Sequence, residues 1–235
     1  MVKQFQVPDF IPREFVILDL NFLSLNLLIE LHYLPSLEYF CALQQFDTII
    51  IEKNEHYVKQ SYRNRCYINT SQGSEMLVVP LTAKHGKVLI KDVRIDYSQK
   101  WQNNQWRTIE SAYRKAPYFE YYSDDLRTIL YSNQQFLFDL NLMLLSFCLK
   151  CIKHKPVISA SVSYEKMPSE GIYDLRGQID AKKPHSSRSF YKPTPYHQVF
   201  GNGFVENVSL IDLLFCEGPR AGSVLFMSRK ENLNK

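Results

Sequence analysis

The 235-residue sequence predicts a single α/β domain with a mixed sheet, an N-terminal βαβ-like unit, a helical middle and a long irregular lid. Three observations lead there. Two short apolar runs, Leu23–Glu30 and Thr48–Ile51, flank a stretch with helical spacing, and strand, helix, strand at such short range makes the two strands parallel. From Trp101 to Ile152 apolar residues return every three to four positions, the period of helices with one buried face. From Tyr164 to Gln198 the chain carries Pro168, Pro184, Pro193 and Pro195 with Gly171 and Gly177 and keeps no period, which marks a lid or binding loop.

Each element follows in turn. Pro35 opens the first helix, with Leu37, Phe40, Cys41 and Leu43 or Gln44 at helical spacing. After the Thr48–Ile51 strand, Tyr57–Ile68 and Met76–Leu81 read as extended segments, with Gly73 turning the chain between them. A further strand is expected over Val88–Ile95 after a turn at His85-Gly86. Trp101, Gln105 or Trp106, Ile109, Ala112 and Tyr113 then line one face of an amphipathic helix that Pro117 stops. Asp124–Tyr131 forms a short second helix, and Asn133 caps a third that runs to about Ile152 with almost no polar face. Val157–Val162 alternates like a strand. In the last element Ser209 and Asp212 resemble a capping pair, Gly218 suits the position after the helix, and Pro219 prevents continuation.

Composition excludes several classes. Hydrophobic residues make up 45% and charged residues 22%, the balance of a globular chain and not of a disordered one. Only 8 Gly stand against 15 Phe, 15 Tyr and 2 Trp, and neither G-x-x-x-x-G-K-[ST] nor G-x-G-x-x-G occurs, so no glycine-rich phosphate loop is expected. A net charge of +4 does not call for nucleic acid, and the aromatic cluster Tyr113–Tyr122 has Glu110, Glu120, Asp124 and Asp125 beside it, which repel phosphate. Five cysteines, an odd number set among apolar neighbours, suit a reducing compartment, and Cys148 and Cys151 read as buried helix residues. Polar residues such as Asp19, Asn26, Glu30 and Asp139 interrupt the apolar runs, and the start of the chain lacks the pattern of a secretory signal. A cytoplasmic protein without a membrane span is expected, its oligomeric state open.

The densest polar stretch, Glu52 to Arg65, directly follows an apolar strand, where ligands of α/β sheets bind. If Tyr57–Ile68 is extended, period two puts Tyr57, Lys59, Ser61, Arg63 and Arg65 on one face. Such a stripe can hold an anion, because Arg offers paired planar donors and Lys a mobile charge. It could equally be a solvated strand side that protects an exposed edge. His32, His56 and His197 are candidates to pair with Glu52 or Glu55 in acid–base work. No histidine spacing supports a metal site, and no cofactor is implied.

Ordered blocks along the chain resemble the WbqC-like family. They are Tyr33-Leu34-Pro35, Tyr39-Phe40, the set Tyr57, Lys59, Ser61, Tyr62, Asn64 and Arg65, then Val79-Pro80, Trp101, Ala112-Tyr113, Ala116 to Phe119, Tyr196 with Gln198 to Phe200, Gly203-Phe204, Asn207 to Phe215 and Gly218-Pro219. The resemblance implies a domain over residues 23–222, with residues 1–22 as an extension and 223–235 as a tail. It places the protein among bacteria, in surface-polysaccharide biosynthesis, as a transferase-like protein acting on an anionic or nucleotide-linked sugar. On that view Lys59, Arg63 and Arg65 hold the anion, Asn64 orients substrate or backbone, Tyr57 and Gln198 line the pocket, and Glu52 is the base. The family pattern has no counterpart for His56. A non-catalytic carbohydrate-binding or scaffold protein of the same pathway is the alternative. Ser209 and Asp212 match the family as well, and a helix start explains both.

Overall fold

A computed structural model describes residues 26–82, 87–201 and 203–230. The expected extension over residues 1–22, the turn at His85-Gly86 and the end of the C-terminal tail lie outside the described residues. The βαβ unit forms as the sequence predicts. Strand β1 (Asn26–Ile29), helix α1 (Leu37–Leu43) and strand β2 (Thr48–Ile51) follow one another, and β1 pairs parallel with β2 in the register Leu27 to Ile49. The run NLLI is buried at every position, as a strand covered on both faces requires. Helix α1 is also buried throughout, which accounts for its almost unbroken apolar sequence.

Two more strands complete a four-stranded sheet in which every pairing is parallel. Strand β5 (Val157–Ala160) adds to the outer side of β2, and β6 (Ile172–Asp174) adds to the other side of β1, giving the order β5-β2-β1-β6. Strands β3 (Arg65–Thr70) and β4 (Gly73–Val78) pair antiparallel in a sheet of their own, so the expected mixture of pairings is divided between two sheets. Gly73 makes their turn with φ +95, a backbone region that glycine enters without a Cβ penalty. One face of the pair, with Cys66, Ile68 and Leu77, enters the core.

The helical middle consists of α2 (Trp101–Tyr113), α3 (Phe119–Leu130) and α4 (Leu137–Cys151), and the chain closes with α5 (Leu210–Glu217) and α6 (Ala221–Met227). The residues that set the period of α2 (Trp101, Gln105, Trp106, Ile109, Ala112 and Tyr113) are the ones it buries. One hydrophobic cluster takes side chains from both sheets, from α1 and from these five helices.

Four expectations need correction. Tyr57–Ile68 is not one extended segment: Gln60 has φ +58 and the Ser61 hydroxyl donates to the Val58 carbonyl (2.7 Å), so the chain turns before β3 begins at Arg65. Val88–Ile95 is not a strand but touches other segments at single bridges around a 3-10 turn, Ile90–Asp92. Asn133 does not cap α4: it has φ +54, and the residue before the helix is Phe136. Nor do Ser209 and Asp212 act as a cap, since the helix start has no side-chain capping bond. Asp212 instead accepts from the hydroxyls of Tyr113 (2.8 Å) and Tyr196 (2.5 Å) and from Gln198 Nε2 (2.9 Å). The residues expected to form a lid are mostly irregular, but they include β6 and are therefore stitched to the sheet.

Candidate functional site

Parallel strands all end at the same edge of their sheet, and here each ends on or is followed by a polar residue. Glu30 follows β1, Glu52 follows β2, Ser161 follows β5, and Asp174 ends β6 with Arg176 two residues on. The strand order also reverses between β1 and β6, where open α/β sheets form their binding crevice.

Glu30 sits at that reversal and is 1% exposed. The Gly177 backbone N–H donates to both its oxygens (3.1 and 3.0 Å), His32 Nε2 lies 3.3 Å from Oε1, and Arg63 Nη2 lies 3.5 Å from the same oxygen. Burial pushes the Glu30 carboxyl up, but the His32 hydrogen bond and the charges of His32 and Arg63 outweigh it and hold it below its ordinary value. Ionised Glu30 can only accept, so His32 donates to it from Nε2. Its other ring nitrogen, Nδ1, is buried and has no hydrogen-bond partner among the described residues. The imidazole is enclosed by the rings of Tyr39 and Tyr62, with centroids 4.7 and 5.3 Å away. Tyr39 is buried, whereas Tyr62 is half-buried.

Two ion-paired groups flank this pair. Arg63 is 4% exposed and grips Glu55 with Nε and Nη2, both at 2.6 Å. Burial alone would make Arg63 less basic, but the hydrogen bond and charge of Glu55 and the charge of Glu30 raise it, while burial raises the Glu55 carboxyl against the Arg63 bonds. Asn141, fully buried on α4, donates to the Arg63 carbonyl (2.7 Å) and fixes the turn that carries the guanidinium. On the other side Glu52 accepts from the Ser161 hydroxyl (2.5 Å), the Asn54 N–H (2.8 Å) and Arg176 Nη1 (2.8 Å). Arg176 also grips Asp174, donates to the Glu165 carbonyl (2.7 Å) and lies over the Tyr164 ring at 4.8 Å, tying the lid to the strand ends.

A family model described as the WbqC-like protein family matches residues 31–192. The chain belongs to that family. This WbqC-like protein is also 29% identical over 230 residues to the uncharacterized protein Rv1507c of Mycobacterium tuberculosis (strain ATCC 25618 / H37Rv), an alignment that covers 86% of the present chain and 98% of the relative. No solved structure matches it. None of its described helices is long and apolar enough to cross a membrane.

The structure brings some of the sequence-predicted residues together and separates others. Because the segment turns, the face of Tyr57, Lys59, Ser61, Arg63 and Arg65 does not form: Arg63 points inward to Glu55 while Lys59 is exposed on the loop. Among the described residues Arg65 has only the Met76 sulfur (3.7 Å) as a side-chain hydrogen-bond partner, and its buried Nε has none. It remains beside Tyr57, whose hydroxyl it favours in the ionised form, although burial is the larger influence and raises that group. Tyr57 donates to Asn64 Oδ1 (2.9 Å), and Asn64 in turn donates to the Val79 carbonyl (2.9 Å), so Asn64 fastens backbone. Gln198 is at the other end of β3, where Asn69 Nδ2 meets it at 3.5 Å. Four residues of strand from Arg65 to Asn69 put about 13 Å between the two. Glu52 is next to Glu30 in the sheet, with both oxygens engaged. His56 and His197 are exposed and join neither carboxylate.

Sequence reasoning missed Glu30, Ser161 and Arg176. A signal existed for the first: Glu30 and His32 stand two apart at the end of an apolar strand, hence on one side of it.

Proposed function

We propose that this WbqC-like protein is a group transferase of bacterial surface-polysaccharide biosynthesis that acts on an anionic or nucleotide-linked sugar. The observation that carries the reading is the buried Glu30–His32 pair at the reversal of strand order, whose histidine Nδ1 has no hydrogen-bond partner among the described residues. Most buried polar side-chain atoms find a hydrogen-bond partner. A carboxylate that fixes the tautomer and leaves the second nitrogen basic is the arrangement of a general base. His32 would take the proton of the acceptor group on the sugar, and Glu30 would stabilise the imidazolium that results.

Arg63 and Arg176 are engaged by carboxylates, which leaves Arg65 and Lys59 to meet the anionic part of the substrate, with Tyr57 beside them. Glu52 serves by holding Arg176 and Ser161, and the base role expected of it passes to His32. Family context supports the choice of a sugar, and the half-buried Tyr62 ring is compatible with sugar faces stacking on aromatics.

Calorimetry against a panel of nucleotide sugars tests the reading. Binding on the micromolar scale is expected, weakened at least tenfold by Arg65→Ala, with His32→Gln abolishing turnover while leaving binding in place. If no sugar nucleotide binds, the reading is wrong.

A further inference from the structure

We infer that two copies of this chain pair through strand β5 into a two-fold dimer, joining their parallel sheets edge to edge. β5 is an outer strand, and among the described residues only β2 pairs with it. The Val157 N–H donates to the Asp47 carbonyl (2.7 Å) and the Ser161 N–H to the Ile51 carbonyl (2.9 Å), so alternate residues Val157, Ser159 and Ser161 turn their backbone groups to β2. Those of Ile158 and Ala160 point out of the open edge, where no strand or bridge among the described residues meets them. Monomeric proteins blunt such an edge with charge, above all lysine. Here no charged residue occurs from Pro156 to Tyr164. The stretch is apolar and in water instead: Val157, Ile158, Val162, Tyr164 and Met167 are 52%, 37%, 94%, 54% and 84% exposed. Nearly half of the large apolar residues exposed among the described ones fall within residues 157–167, a concentration that marks a contact surface. Arg176 holds this surface in place, donating to the Glu165 carbonyl (2.7 Å) and lying over the Tyr164 ring at 4.8 Å. The opposite edge differs, since β6 is half-buried throughout and ends in Asp174, which Arg176 grips.

The partner that fits this edge is a second copy. A two-fold axis perpendicular to the sheet sets β5 antiparallel to itself, and only residues whose backbone points outward can exchange bonds there. With the axis at Ser159, Ile158 of each copy faces Ala160 of the other, and every outward N–H and C=O of both strands finds a partner. Val162 then meets Pro156 of the partner subunit, which has no N–H to leave unpaired, so the ladder ends there. The ends also match in charge. Lys155 is the last charged residue before the strand and Glu165 the first after it, and the antiparallel arrangement brings the basic end of each copy toward the acidic residue of the other. A parallel arrangement would set lysine beside lysine.

Light scattering of the full chain eluting from a sizing column tests the dimer at about 100 μM, since self-association depends on protomer concentration. The expected mass is twice the 27.7 kDa of one chain. Ile158→Pro removes an N–H that points away from β2, so the fold keeps its own ladder while the dimer loses a bond. Val162→Glu alters a side chain that is 94% exposed, which leaves the monomer intact. Each should weaken the dimer by about tenfold or more, because an edge carrying proline or charge resists pairing. Lys155→Glu should weaken it as well, and adding Glu165→Lys should restore it. If Ile158→Pro does not fold, Val162→Glu decides. A wild-type monomer at that concentration, or a dimer that survives the edge variants, would overturn the inference.

Discussion

Arg63 shows how the polar block Glu52–Arg65 serves two purposes. Its guanidinium is the cation shared by Glu55 and Glu30, and its carbonyl is the anchor taken by Asn141. Removing one partner of a buried pair leaves the other charge without compensation, a loss of about 3–5 kcal/mol, whereas removing both partners takes the unpaired charge away with them. Arg63→Ala should therefore lower the unfolding free energy by about that amount in urea denaturation, and Arg63→Ala with Glu55→Ala should recover part of the loss, since Glu30 still lacks its arginine. A double variant no more stable than the single one would show that the two residues do not act as a pair.

At the level of elements, the two glycines at chain reversals differ in a way that experiment can separate. Gly73 joins β3 to β4 with φ +95, and a Cβ there would meet nothing within 4 Å. Gly218 ends α5 with φ +53, and a Cβ there would lie 2.5 Å from the Tyr118 ring. Gly73→Ala should cost about 1–2 kcal/mol from backbone conformation alone. Gly218→Ala should cost clearly more, because the ring must also move out of a packed core. Equal losses in chemical denaturation would refute the steric account. The same distinction between local and distant causes explains what the sequence makes legible. The α2 stripe and the βαβ start depend on neighbours a few positions apart, so spacing alone reveals them. Strand β6 is three residues long inside a Pro-rich stretch, and only its pairing with β1 defines it. The turn at Val58–Ser61 hides because its polar residues alternate as a strand's would, although Gln60 has a positive φ. In the site, the position after β2 and the presence of Glu52, Glu55 and Arg63 follow from the sequence. Arg176 does not, because 124 residues separate it from the carboxylate it holds.

Across the whole molecule, three buried carboxyl groups pull the pH dependence of stability in opposite directions. Glu30 is held below its ordinary value of 4.5 by His32 and Arg63 against the opposing effect of burial. Its contribution is thus complete above that value and is lost as pH falls through the lower folded value. Asp212 is raised above 3.8 by burial, which outweighs the donations from Tyr196, Tyr113 and Gln198, and Glu55 is raised above 4.5 by burial against Arg63. Each of these two takes up its proton in the folded chain before the unfolded chain does, so each adds stability as pH falls toward the ordinary carboxylate range. The wild-type protein should therefore be most stable in mildly acidic solution and lose stability on both sides, as read from denaturant midpoints at about pH 7, 5 and 3. Glu30→Gln removes a group that is charged in both states at pH 7 and is bound more tightly in the fold, so its deficit against wild type should be largest at neutral pH and shrink at about pH 3. Asp212→Asn should flatten the rise as pH falls toward the ordinary carboxylate range and leave the loss that comes from Glu30 unchanged. A deficit of Glu30→Gln that stays constant from pH 7 to 3 would mean that His32 and Arg63 do not hold Glu30 as an ion, and the basic Nδ1 inferred for His32 would lose its support.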